Sequence, residues 1–333
     1  PPPLLEILPA KKHLQKLLFD FDSRLNYQKY LPILQSIYEK EPSILNILNL
    51  KKVKGSDLMI FRNILKEIRY KTHTKNKHLI LLENSLIEYA AELGDNNAVA
   101  ILAFDCIKKP DEWETGEVDR AKKLIRDLLL LKHPLTLKLS GDYEYEKNND
   151  YNKAIDFYQD FLKIENNTYL ASQVFQTLGI LNFKLSNLNL AEHYLQKSIK
   201  FSTLDKISHA YYYLGVIHED DPKLSRYYFE MSASQGFKES FKSLGFLELN
   251  YFQNINKAME WFKLGVELGD ISCLVGIFDC YMKLKDYDKA LKIVTQLKSS
   301  PNTNNGDANA NANANSELNT FFIARKESIN NLN

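Results

Sequence analysis

The chain has 333 residues, of which 44% are hydrophobic and 26% charged, a globular balance with ample length for a large core. Its 12 Gly and 10 Pro fall well below the usual share, which favours helices, and no apolar run, the four leucines at 128–131 included, approaches the about 18 or more residues of a membrane-spanning segment. The net charge of +1 hides an asymmetry, because residues 1–80 hold 15 Lys+Arg against 7 Asp+Glu, leaving +8 there and −7 in the remainder.

In chain order, "KKHLQKLLFDFDSRL", "YLPILQSIYEK" and "SDLMIFRNILKEIRYK" are amphipathic helices without internal repetition, and they predict an N-terminal basic helical cap over residues 1–80. From 81 to 298 one unit recurs. A large residue precedes Leu-Gly by three positions, and a small residue followed four later by a large one comes after. Gly141, Gly179, Gly215, Gly245 and Gly276 mark first helices, and Ala121, Ala154, Ala191, Ser225, Ala258 and Ala290 mark second helices, spaced 33, 37, 34, 33 and 32 residues apart.

The large members, among them Phe175, Tyr211 and Phe241, then Tyr158, Leu195, Phe229 and Phe262, share one helix face. Each helix pair therefore has an apolar face that only a stacked neighbour can bury, which predicts an all-α, right-handed helical-repeat solenoid. The endings "ELGD" at 92–95 and 267–270 read as a last turn, a glycine C-cap and a turn acid. Residues 299–320 contain the Asn/Ala tract "NGDANANANANS", which lacks core formers and predicts disorder, and 321–333 predict a short helix returning to the last repeat.

These repeats resemble the Sel1-like and tetratricopeptide class over roughly residues 83–298, a class of scaffolds that bind proteins and peptides. The segments "AAELGDNNAVAILAF", "FKSLGFLELNYF", "KAMEWFKLG", "FDC" and "ARKESI" resemble, more narrowly, the fungal mitochondrial-matrix family of cytochrome c oxidase assembly. The resemblance implies a non-enzymatic factor, peripheral on the inner membrane, that promotes export of the C-terminal tail of subunit 2. Its implied partners are that tail, the inner-membrane insertion and export machinery and the anionic inner-membrane surface.

Chemistry-bearing motifs are sparse. No phosphate loop, His-Glu-x-x-His or nucleophile elbow occurs, so neither a catalytic residue nor a cofactor is expected. Cys106, Cys273 and Cys280 sit in apolar helical stretches and read as buried thiols. "HEDDP" at 218–222 reads as a capping turn rather than a metal site. The inner wall of the first helices is the candidate binding surface, at Gln176, Ile180 and Phe183, then Tyr212, Val216 and Glu219, then Lys242, Phe246 and Leu249. Burial between successive repeats is the competing explanation for the same residues. Lys51, Lys52, Lys54, Arg69, Lys71, Lys75 and Lys77 form a candidate membrane-facing set, for which a solvated loop is the alternative. A helical-repeat RNA binder of organelles is the alternative function, but the region after residue 80 is net negative, so no nucleic acid is expected.

Overall fold

The computed structural model describes residues 2–203, 206–299, 320 and 323–330, and every regular element among them is helical. The chain divides into two compact units, Pro1–Ile164 and Glu165–Asn333.

The first unit contains α1 (Leu4–Ile7), α2 (Lys11–Asp20), α3 (Tyr27–Tyr38), α4 (Ile44–Leu50), α5 (Gly55–Thr72), α6 (Lys77–Glu92), α7 (Asn96–Lys108), α8 (Thr115–Leu130), α9 (Pro134–Tyr143) and α10 (Tyr151–Ile164). A π-helical turn, Glu144–Asn148, follows α9. Helices α5 and α6, α7 and α8, and α9 and α10 pack as successive pairs.

One hydrophobic cluster runs from Leu4 to Ala98 and joins Leu14, Tyr30 and Leu34 to Phe61, Ile64 and Leu86. The boundary expected at residue 80 is therefore corrected, since it falls inside α6, and α5 and α6 already form a helix pair in the core of the preceding helices. The Leu-Gly signature could not reveal this pair because its close contact lies at the helix end. A Cβ on Gly55 would meet Asp95 Cβ at 2.6 Å and the Ala90 carbonyl at 2.7 Å.

A buried acid ties the early helices to α5. Asp57, 2% exposed, accepts from Arg24 Nη2 at 2.5 Å and from the Lys54 backbone N–H at 2.8 Å, while its own carbonyl accepts from Tyr30 Oη at 2.9 Å. Burial pushes the Tyr30 hydroxyl up to about 12.

The second unit contains α11 (Tyr169–Lys184), α12 (Leu188–Phe201), α13 (Ser208–Ile217), α14 (Pro222–Ala233), α15 (Lys238–Asn250), α16 (Ile255–Glu267), α17 (Cys273–Lys283), α18 (Tyr287–Ser299) and α19 (Lys326–Asn330), the first eight packed as four successive pairs. The predicted glycine positions are the crossing points. A Cβ on Gly179 would meet Leu195 Cγ at 2.6 Å, and one on Gly215 would meet Phe229 Cδ1 at 2.6 Å. In the first unit Gly141 stands in the same relation to Tyr158, at 2.5 Å.

The glycine thus lies under the large residue four positions after the small one. Where Ser225 replaces alanine, its hydroxyl donates to the Gly215 carbonyl at 2.8 Å and stays satisfied. Gly276 departs from the expected pairing, because it abuts Phe262 of the preceding pair, and Gly245 abuts the same ring. Phe262 is fully buried, which stabilises by about 1.5–3 kcal/mol.

Local signals set the helix ends. Gly94 and Gly269 adopt φ of 81° and 86°, and the bonds Asp95 N–H to Ala90 O (3.0 Å) and Asp270 N–H to Gly265 O (2.9 Å) close Schellman turns. The acid then faces forward. Asp95 accepts from Ala98 N at 2.9 Å, and Asp270 accepts from Ser272 N at 3.0 Å. Asp221 caps α14 as read from "HEDDP", and Asp150 caps α10 in the same way. Ile329 of α19 is buried with Leu249, Ile277 and Val294, and Arg325 pairs with Asp279 at 2.5 Å. Of the tract 299–320 predicted to be disordered, Ser299 ends α18, Thr320 is helical and 300–319 lie outside the described residues.

Replacing Gly179 or Gly245 by Ala forces the facing side chain aside and is expected to cost about 1–3 kcal/mol in denaturant unfolding. Gly116→Ala in α8, where nothing lies within 4 Å, should stabilise by up to about 1 kcal/mol. Equal effects at the two kinds of site would contradict the crossing geometry. Burial holds His133 and His209 below their ordinary value, so the unfolded chain binds more protons as pH falls. Their contribution is intact above about pH 6.5 and is lost below it, and melting temperatures between about pH 7.5 and 5 should decline less in a His133→Gln, His209→Gln variant.

Candidate functional site

In the second unit an open groove of about 420 Å³ runs between the end of α13 and the first turns of α14 on one side and α15 on the other. Glu219, Phe229, Lys242, Phe246, Leu247 and Tyr251 are among its lining residues. Phe246 is half-buried, with its ring edge-on to Phe262 at 4.9 Å, and Tyr251 is 59% exposed. Glu219 and Lys242 put one charge of each sign on an otherwise largely apolar trough.

Glu248 holds α15 in register with its neighbours. Its carboxylate is 1% exposed and lies 3.1 Å from Arg226 of α14 and 3.2 Å from Lys257 of α16. Arg226 also covers the Phe252 ring at 5.0 Å. With two cations the buried carboxylate is compensated on both sides, and loss of either leaves an expensive imbalance.

The structure sorts eight of the nine sequence-predicted wall residues into three groups. Lys242, Phe246 and Glu219 line the groove. Tyr212 and Val216 are half-buried and pack on the cluster around Phe229, Phe241 and Leu244. Tyr212 lies 5.7 Å from Phe229 and 5.1 Å from Phe237, and burial pushes its hydroxyl upward against the pull of a Ser243 hydrogen bond. Gln176, Ile180 and Phe183 are half-buried on α11, where Phe183 meets Tyr213 edge-on at 5.1 Å.

Leu249 is corrected. It is 1% exposed, packed in the core with Ile277, Phe278 and Cys280, because α17 of the next pair covers the end of α15 and Lys283 Nζ donates to the Leu249 carbonyl at 2.9 Å. Sequence reasoning missed Phe229, which it used as a packing position, and Tyr251, whose exposure beside Phe246 is decided by the end of α15.

In the basic set, Lys51, Lys52, Lys54, Lys71, Lys75 and Lys77 are exposed. Arg69 is corrected. It is half-buried and donates through Nε (2.9 Å) and Nη2 (3.1 Å) to Glu83 of α6, which is 3% exposed, so its charge is neutralised. Lys71 pairs with Glu67 at 3.1 Å. In "HEDDP", Asp221 accepts from the backbone N–H groups of Lys223 (3.1 Å) and Leu224 (3.2 Å) as the cap of α14. No helix among the described residues is long and apolar enough to cross a membrane.

Protein MSS2, mitochondrial, of Saccharomyces cerevisiae is 36% identical to the chain over 334 residues, covering 97% of the chain and 92% of the yeast protein. The chain belongs to the MSS2 family. The profile of the MSS2 N-terminal domain matches residues 1–95, nearly coincident with the Leu4–Ala98 core. PilF of Pseudomonas aeruginosa, 16% identical over 61% of this chain and 90% of its own, superposes with a TM-score of 0.50, a likeness of fold alone. The type IV pilus biogenesis factor PilW is 18% identical over 68% of this chain and 98% of its own, with a TM-score of 0.49. The MSS2-family chain is thus a mitochondrial helical-repeat protein.

Cys106, Cys273 and Cys280 are free and buried. Burial, reinforced at Cys273 by Asp270, pushes Cys273 up to about 12 and Cys280 up to about 11. A thiol held as S–H is a poor nucleophile. Ellman's reagent near neutral pH is therefore expected to leave all three thiols unmodified in the folded MSS2-family chain and to titrate all three in denaturant. Rapid modification of one without denaturant would contradict this.

Proposed function

We propose that this MSS2-family protein is a non-enzymatic factor of the mitochondrial matrix, peripheral on the inner membrane, that binds the C-terminal tail of cytochrome c oxidase subunit 2 and assists its export. The observation that carries the reading is the relation to a mitochondrial MSS2 protein across 97% of the chain. The groove at Lys242, Phe246 and Tyr251 supports it physically, since an open, largely apolar trough with one charge of each sign suits a peptide laid along it. Export machinery of the inner membrane is the further partner in this reading.

The six exposed lysines of the first unit, Lys51, Lys52, Lys54, Lys71, Lys75 and Lys77, support a membrane-facing role, each contributing about 1 kcal/mol near an anionic leaflet.

A photocrosslinking residue at the exposed Tyr251, introduced in fungal mitochondria, is expected to capture the subunit 2 tail or its translocation machinery; recovery of RNA, or of no product, would overturn the reading. Vesicles of phosphatidylcholine and cardiolipin should pellet the protein at low salt, and Lys51→Gln, Lys52→Gln, Lys54→Gln should weaken pelleting. Pelleting that is indifferent to both salt and these lysines would remove the membrane role.

A further inference from the structure

On the first unit, α5 presents Arg62, Lys66 and Arg69 at i, i+4 and i+7, one face of the helix. Arg69 shows how this face receives a carboxylate, with Nε and Nη2 forked onto the two oxygens of Glu83. Arg24 holds Asp57, and Arg325 holds Asp279, in the same way.

Arg62 lies two turns before Arg69 on the same face and has no such partner. It is half-buried, its Nε is buried without a hydrogen bond, and no carboxylate lies within ion-pair distance of it or of Lys66 among the described residues. Asp105 of α7 and Glu83 face the cluster and act on both cations only through space. Burial lowers both cations from their ordinary values, and the Arg62 charge lowers Lys66 further. Three cations against two acids leave one positive charge uncompensated in partly desolvated surroundings, an arrangement that costs free energy until an anion arrives.

We infer that Arg62 and Lys66 form a receiving site for a carboxylate side chain of a bound peptide, the external counterpart of the internal Glu83 on Arg69. With Nε of Arg62 buried, a carboxylate would be received end-on by its two Nη groups rather than through Nε as on Arg69, and Lys66 at the exposed rim adds a second, adjustable donor. The site rests on the reading of the chain as a protein-binding factor but uses neither Phe246 nor Tyr251, so the two stand or fall separately.

The test uses the full chain and two fluorescein-labelled peptides, one of Leu and Glu, the other with Gln at every Glu position. At low salt the Glu peptide is expected to bind about tenfold more tightly than the Gln peptide, as one charge-assisted fork warrants. Arg62→Gln, Lys66→Gln should abolish that preference and leave the Gln peptide's affinity unchanged, while Arg62→Lys, which keeps the charge, should retain part of it. Phe246→Ala should weaken both peptides alike if the groove of the second unit also engages them, and its result bears on that groove alone.

Melting of the double variant should be unchanged or raised, because it removes two mutually repelling charges. Equal binding of the two peptides, no binding of the Glu peptide, or a preference that survives in the double variant would overturn the inference. So would displacement of the Glu peptide by inorganic phosphate at lower concentration than by acetate, or a lower melting temperature with the preference intact.

Discussion

The repeat depends on the absence of one atom. Where the first helix of a pair crosses the second, glycine leaves room for the ring or branched side chain four residues past the small residue, and a Cβ in its place would lie at a distance that real Cβ atoms do not reach. That contact brings the backbones close, fixes the crossing and buries Tyr158, Leu195, Phe229 and Phe262 completely or nearly so. Phe262 extends the principle between pairs, since it fills the space left by both Gly245 and Gly276. The α15–α16 pair is thereby coupled to α17 by packing.

Polar groups enter where helices must be aligned rather than merely packed. Asp57, Glu83 and Glu248 are each almost fully buried, and each is met by at least one cation. A buried carboxylate is tolerated only with such compensation, so these three sites select one arrangement of their helices over others of similar apolar burial. The same requirement makes Arg62 conspicuous, because there the cation is present and no acid lies at ion-pair distance among the described residues.

The groove in the second unit follows from the framework. Phe246 can line it because its ring rests on Phe262, and Lys242 can border it because Glu248 holds α15 between Arg226 and Lys257. A peptide entering there would meet a preformed wall, which reduces the ordering that binding requires. The lysines of residues 1–80 supply a charge of the sign that an anionic surface attracts.

The spacing of glycines, small residues and large residues was enough to determine an all-helical repeat, since only a helix-pair unit satisfies that period and that pairing of sizes. "ELGD" likewise determined its own geometry, a left-handed glycine followed by a capping acid, because both requirements are local. What tertiary structure alone decided was which face each side chain finally shows. Lys242 and Leu249 share a helix face by periodicity, yet one lines the groove and the other is core, because α17 covers only the end of α15. Arg69 belongs to a basic run in the sequence and is neutralised in the fold, because Glu83 arrives from α6. Of the first helix pair only the "ELGD" ending of α6 was legible as a repeat, since the close contact places Gly55 against the turn at Asp95, forty residues away, outside the Leu-Gly signature.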